Sequence, residues 1–236
     1  ANLAVLSQQL YTPQSVRKAE LDKDGIYRTE PLPPAADWRT VEGRGSWRSF
    51  QVGFLLSNLS STVFDDDPMR ENVELIFFPT GGGKTEAYQG LLAFNLFYQR
   101  IIGSTQKTSA IMRYTLRLLT AQQFQRALGL ISWMEMIRDE KGLGGERFTL
   151  GIWVGSSLTP QTRDDALTSL AQLKNAKRDN VENKFLLLKC PMCSAQMGLI
   201  KSQVKRKPLQ LMGYQQSASV DFVCPDSKCY YNRNNI

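Results

Sequence analysis

The chain has 236 residues, enough for one good hydrophobic core with a small satellite, since domains most often run to roughly 100–200 residues. Its 42% hydrophobic and 22% charged residues are ordinary for a globular protein, no apolar run approaches the ~20 residues of a membrane-spanning helix, and the opening residues carry no secretory signal. No membrane association is expected, the cytoplasm is the expected compartment, and a formal net charge of +7 favours polyanionic partners, although a solvated basic surface explains that charge equally well.

Residues 1–45 are polar and irregular, and Pro31, Pro33 and Pro34 favour extended backbone, so they read as an extended lead-in segment. A main domain is expected over 46–189. It opens with a helix at 47–59, where Trp47, Phe50, Phe54 and Leu55 recur at helical spacing before Asp65-Asp66-Asp67-Pro68 interrupts the pattern. A short apolar run at 73–78, closed by Pro79, predicts a buried parallel strand, and the apolar positions of 85–100 predict a largely buried helix. Further on, the spacing predicts a strand at 109–114, a helix at 120–138, a glycine-rich turn at 142–145, a strand at 148–154, a helix after Pro160 and a strand at 185–188. Such alternation predicts an α/β fold, a parallel sheet with helices on both faces. Beyond residue 189 cysteines appear for the first time, with short strand candidates at 198–202 and 219–223; a metal module over 190–229 and a tail over 230–236 are expected.

The run Phe77-Phe78-Pro79-Thr80-Gly81-Gly82-Gly83-Lys84-Thr85 joins a predicted strand to a predicted helix through glycines. Phosphate binding needs this arrangement, because backbone N–H groups converge on an anion only where no side chain intervenes, and the helix start adds partial positive charge. Lys84 is expected to reach the β- and γ-phosphates of ATP and Thr85 to place its hydroxyl on Mg²⁺, with Thr80, Gly81, Gly82, Gly83 and Glu86 completing the nucleotide set. Phe78 stands where the general pattern has its first glycine, and the Thr-Gly-Gly-Gly-Lys-Thr core resembles motif I of superfamily 2 helicases. Upstream, Gln51 in Arg48-Ser49-Phe50-Gln51 is a candidate reader of the adenine edge, since an amide both donates and accepts; an exposed polar residue on an amphipathic helix is the plain alternative.

Arg113, Thr115 and Arg117 end the second predicted strand, where ligands gather in open parallel sheets, and are expected to meet a nucleic-acid backbone. Gln122, in the first turns of the next helix, and Ser156, in the loop after the third strand, join this set. Surface ion pairs would equally occupy the arginines. Thr159 and Pro160 also fit a plain helix start, as cap and first helical residue. Cys190 and Cys193, then Cys224 and Cys229, are the only cysteines, and two short-spaced pairs suit tetrahedral Zn²⁺ held by thiolates alone. Disulfides would need an oxidising compartment. The basic run Lys201 to Lys207 between the pairs reads as a solvated hairpin tip.

Taken together, the glycine loop through Tyr88 and the longer block from Met112 to Ala127 resemble the helicase subunit of the DISARM bacterial anti-phage systems. The resemblance implies a RecA-like first motor domain with a small four-cysteine zinc-ribbon insertion. It also implies an ATP-dependent DNA helicase or translocase, acting on a single-stranded tract of DNA with a partner subunit and the remaining helicase lobe. Such motors need a pair of carboxylates after an apolar strand, and neither Asp139-Glu140 nor Asp164-Asp165 follows one. This polypeptide is therefore expected to grip nucleotide and hydrolyse little alone. A restriction-type translocase subunit, or a zinc-ribbon nucleic-acid-binding module with a nucleotide-sensing loop, remain alternatives.

Overall fold

The computed structural model describes residues 1–22, 26–35, 37, 39, 45–77, 81–103, 108–115, 117–177, 180–201 and 209–236, with the side chains of Arg117 and Leu118 outside the description. Two compact units emerge: Ala1–Leu10, Ala36–Thr115 and Ala127–Leu150 in the first, and Tyr11–Ala35, Leu116–Arg126 and Gly151–Ile236 in the second.

The first unit is helical. It contains α1 (Asn2–Tyr11, up to Leu10), α2 (Ser49–Val63), α3 (Lys84–Ile101) and the larger part of α4 (Arg117–Glu140). Its core joins Ala4 and Val5 of α1, Ala93 and Phe97 of α3, and Leu130, Ile131, Met134 and Ile137 of α4, with Phe148 edge-on to Phe97 at a centroid distance of 5.4 Å. Apolar positions three and four apart on α3 and α4 form the stripes that make this packing possible. One carboxylate is buried beside the core: Glu135 receives a two-pronged bond from Arg138, 2.8 Å on each side, and accepts the Phe148 backbone N–H at 3.0 Å. Buried charge is tolerated because every oxygen has a donor. Against α3 lies α2, and close approach is possible at Gly90, where a Cβ would come within 2.7 Å of the Trp47 ring.

The second unit holds three antiparallel pairs: β1 (Ala19–Leu21) with β2 (Tyr27–Thr29), β3 (Gly198–Ile200) with β4 (Gln210–Met212), and β5 (Tyr214–Gln216) with β6 (Val220–Phe222). In this unit α5 (Arg163–Lys174) packs on β4, β5 and β6 through Leu170 and Leu173, and α6 (Tyr230–Arg233) closes the chain. Thr162 and Asp165 cap α5 reciprocally, so the cap lies beyond the predicted Thr159 and Pro160.

The predicted RecA-like parallel sheet is not formed. Among the described residues the only sheets are the three short antiparallel pairs. The runs at 73–77, 109–114 and 148–154 have no regular secondary structure and join no ladder, and several of their side chains face outward: Val73 is 94% exposed, Phe77 90% and Trp153 98%. A strand exists only through hydrogen bonds to a neighbour, so an apolar run states a capacity to pair and not the pairing itself. Phe148 enters the helical core instead, and at 185–188 Phe185 and Leu187 are buried in the second unit. The predicted helices are present. Where an extended lead-in was expected, the first thirty residues hold α1 and the β1–β2 hairpin.

Candidate nucleotide loop and cysteine centre

Thr80 lies outside the described residues, and the loop is seen from Gly81 onward. Gly81 and Gly83 adopt left-handed backbone, φ +81° and +89°, which a side chain would oppose, and Lys84 and Thr85 begin α3 immediately after. Two residues of α2 and its start hold this loop from outside. The Gln51 amide donates from Nε2 to the Gly83 carbonyl at 2.7 Å and accepts from the Arg48 backbone N–H at 2.8 Å, while the Arg48 guanidinium donates to the Gly82 carbonyl at 2.8 Å. Gln51 is only 4% exposed. Its amide is thus committed to the loop backbone and not to open solvent.

Thr85 accepts a hydrogen bond on Oγ1 from the Tyr88 hydroxyl at 3.1 Å, and the Tyr88 and Tyr114 hydroxyls are 3.1 Å apart. A threonine oxygen has a second lone pair and a proton of its own, so this contact leaves the group able to act as a ligand. Lys84, Thr85 and Glu86 are partly exposed in the first turn of α3. Arg113 and Thr115 are exposed on either side of Tyr114 in the same unit. Gln122 and Ser156 are exposed in the second unit, and Arg117, the first residue of α4, has its backbone there. Neither acidic pair follows a strand among the described residues: Asp139 and Glu140 end α4, and Asp164 and Asp165 lie in the first turn of α5, where Asp165 is engaged in the cap.

The second unit gathers the four cysteines. Cys190 and Cys193 sit on one loop, Cys224 and Cys229 on another, and all four sulfurs lie within 4.8 Å of one another. Cys193 and Cys224 sulfurs are 3.4 Å apart and those of Cys190 and Cys229 are 3.8 Å apart. A disulfide needs about 2.05 Å, whereas sulfurs around tetrahedral Zn²⁺, each about 2.3 Å from the ion, stand about 3.8 Å apart. The quartet therefore fits a metal and is consistent with zinc. Hydrogen bonds from Cys190 and then Cys224 hold the Cys193 thiol below its ordinary range, and bonds within the same cluster push the Cys190 and Cys224 thiols up.

Both loops are fixed by backbone bonds. Cys190 N–H donates to Ala195 O and Ser194 N–H to Cys190 O, each at 2.9 Å, with Ser194 in left-handed backbone at φ 56°. Cys224 N–H donates to Tyr231 O at 2.8 Å and Asn232 Nδ2 to Cys224 O at 2.8 Å, so the last residues brace the second pair. An aromatic group supports the module. Tyr214 packs edge-on to Phe185 and Phe222, donates to Leu187 O at 2.8 Å and accepts from Asn183 at 3.0 Å. Residues 202–207 of the basic run lie outside the described residues. Sequence reasoning assigned no role to Arg48, Tyr88 or Arg17; Arg48 and Tyr88 lie in segments already singled out, whereas Arg17 carried no signal.

Over 203 residues the chain is 33% identical to DISARM protein DrmA of Bacillus paralicheniformis, a match that takes in 80% of this chain and 17% of that protein. The chain is similar to one portion of DrmA. It spans about a sixth of the length of DrmA, so the similarity concerns one portion of that relative. No protein-family model matches the chain. No solved structure matches it either. Among the described residues, no helix is long and apolar enough to cross a membrane.

Proposed function

We propose that this chain is the nucleotide-gripping portion of an ATP-dependent DNA helicase or translocase that acts in anti-phage defence. The observation that carries the reading is the junction at Gly81 to Thr85, where left-handed glycines deliver Lys84 and Thr85 into the first turn of an 18-residue helix. Backbone N–H groups and the helix start supply the field for phosphates, Lys84 a mobile charge, and Thr85 a hydroxyl for Mg²⁺. Gln51 and Arg48 tie the Gly83 and Gly82 carbonyls to the start of α2 and so fix the loop backbone. Arg113 and Thr115 in the first unit, and separately Arg117, Gln122 and Ser156 in the second, are the proposed contacts to the DNA backbone, and the cysteine quartet holds Zn²⁺ as a structural ion. The similarity to DISARM protein DrmA supports the defence setting and a partner subunit.

Neither Asp139-Glu140 nor Asp164-Asp165 follows a strand, so the isolated polypeptide binds ATP and turns it over slowly. Titration with a fluorescent ATP analogue in Mg²⁺ is the test. Lys84→Ala removes charge-assisted hydrogen bonds of about 1.5–3 kcal/mol and weakens binding by about 10–100-fold. Equal affinity of the two proteins refutes the nucleotide reading, and fast hydrolysis by the wild-type chain refutes the account of its carboxylates. DNA affinity independent of salt would exclude a backbone-tracking contact set.

A further inference from the structure

Arg17 lies in the N-terminal segment, far in sequence from every cysteine, yet it is 4% exposed. Its guanidinium donates to Cys193 O at 3.1 Å, to Glu30 O at 2.7 and 3.0 Å, and to the Asp226 carboxylate at 2.6 Å. Cys193 belongs to the first cysteine loop, and Asp226 sits between Cys224 and Cys229 in the second. The other Asp226 oxygen accepts the Lys228 N–H at 3.0 Å, so the residue that pairs with Arg17 also shapes the second loop. One planar cation thus bridges both loops, which its fork of donors suits and an ammonium does not.

The backbone around Arg17 repeats the connection. Arg17 N–H donates to Ser194 O at 2.8 Å and Gln196 N–H to Arg17 O at 2.9 Å, forming a parallel bridge between Arg17 and Ala195. Ser194 Oγ donates to Pro13 O at 2.8 Å, and Ala19 N–H to the Gln196 side chain at 3.2 Å. Pro13, Arg17 and Ala19 are thereby bound to the first cysteine loop.

We propose that Arg17 is a positioning residue of the metal centre, tying its own segment to both cysteine loops so that metal loading and the order of residues 13–19 rise and fall together. This rests on the reading of the quartet as a zinc site. The experiment measures Zn²⁺ affinity by competition with a chromogenic chelator, for the wild-type chain first and then for Arg17→Met and Arg17→Lys, with the visible bands of bound Co²⁺ confirming a thiolate site in each. Groups that orient ligands are worth about 10–100-fold in metal affinity, and Arg17→Met is expected to lose that much, with Arg17→Lys recovering part through its charge. A residue that only stabilised the hairpin would lower the stability of loaded and empty protein alike and leave metal affinity unchanged, which overturns the proposal. Hydrogen exchange on the wild-type chain needs no variant: the Arg17 and Gln196 amides are expected to exchange faster once the metal is chelated, and unchanged exchange overturns the coupling. Failure of the wild-type chain to bind Zn²⁺ or Co²⁺ refutes the zinc reading itself, an outcome distinct from normal binding that Arg17→Met does not alter.

Discussion

Replacing Gly83 with alanine tests the link between α2 and the glycine loop. Gly83 has φ +89°, where a Cβ costs about 1–2 kcal/mol. That Cβ would also stand 2.7 Å from Gln51 Nε2, the atom that donates to the Gly83 carbonyl, so the amide must leave its place. Gln51 is almost fully enclosed, and a buried amide that loses its partners costs about 1–3 kcal/mol more. The total for Gly83→Ala is about 2–5 kcal/mol, read by urea unfolding with tryptophan fluorescence. In a Gln51→Ala background the displacement has no object, and Gly83→Ala should cost only the backbone part, about 1–2 kcal/mol. The coupling of about 1–3 kcal/mol between the two positions is the signature. Equal cost of Gly83→Ala in both backgrounds would refute the argument that Gln51 is held by the loop.

Glu135→Ala leaves the Arg138 guanidinium and the Phe148 N–H facing a buried gap, and a loss of about 3–5 kcal/mol in urea unfolding is expected; a loss under about 1 kcal/mol would mean that water reaches the site. Burial pushes the Tyr214 phenol up to about 12, against about 10 in an unfolded chain. The unfolded state therefore releases its proton first, and the stability that Tyr214 contributes below pH ~10 is lost as the pH rises to about 12. Tyr214→Phe lacks this proton and the bond to Leu187 O, so it should be less stable than wild type by about 1 kcal/mol at neutral pH, with the gap closing through that alkaline window. A constant gap across the window would show that the phenol is not held in its neutral form.

The helices, the glycine junction and the cysteine quartet were legible because each is a local statement. Periodicity of apolar residues marks α2 to α5, Gly81-Gly82-Gly83-Lys84-Thr85 marks a tight turn into a helix, and two short-spaced cysteine pairs mark a shared ligand set. Gln51 was singled out for the adenine edge, but its amide is spent on Gly83 and Arg48, a choice made by the approach of α2 to the loop. The apolar runs at 73–77 and 109–114 misled: their composition fits a strand, while pairing depends on a neighbour that no composition specifies. Arg17 carried no signal at all, since its partners Cys193 and Asp226 lie 176 and 209 residues away. The sequence by itself determined which short segments can turn, coil or hold a metal, because those properties follow from neighbours within a few residues. Only the tertiary structure decided what each surface meets, leaving the apolar runs without a ladder and setting a buried arginine between two cysteine loops, because contacts between distant segments depend on packing that no local pattern encodes.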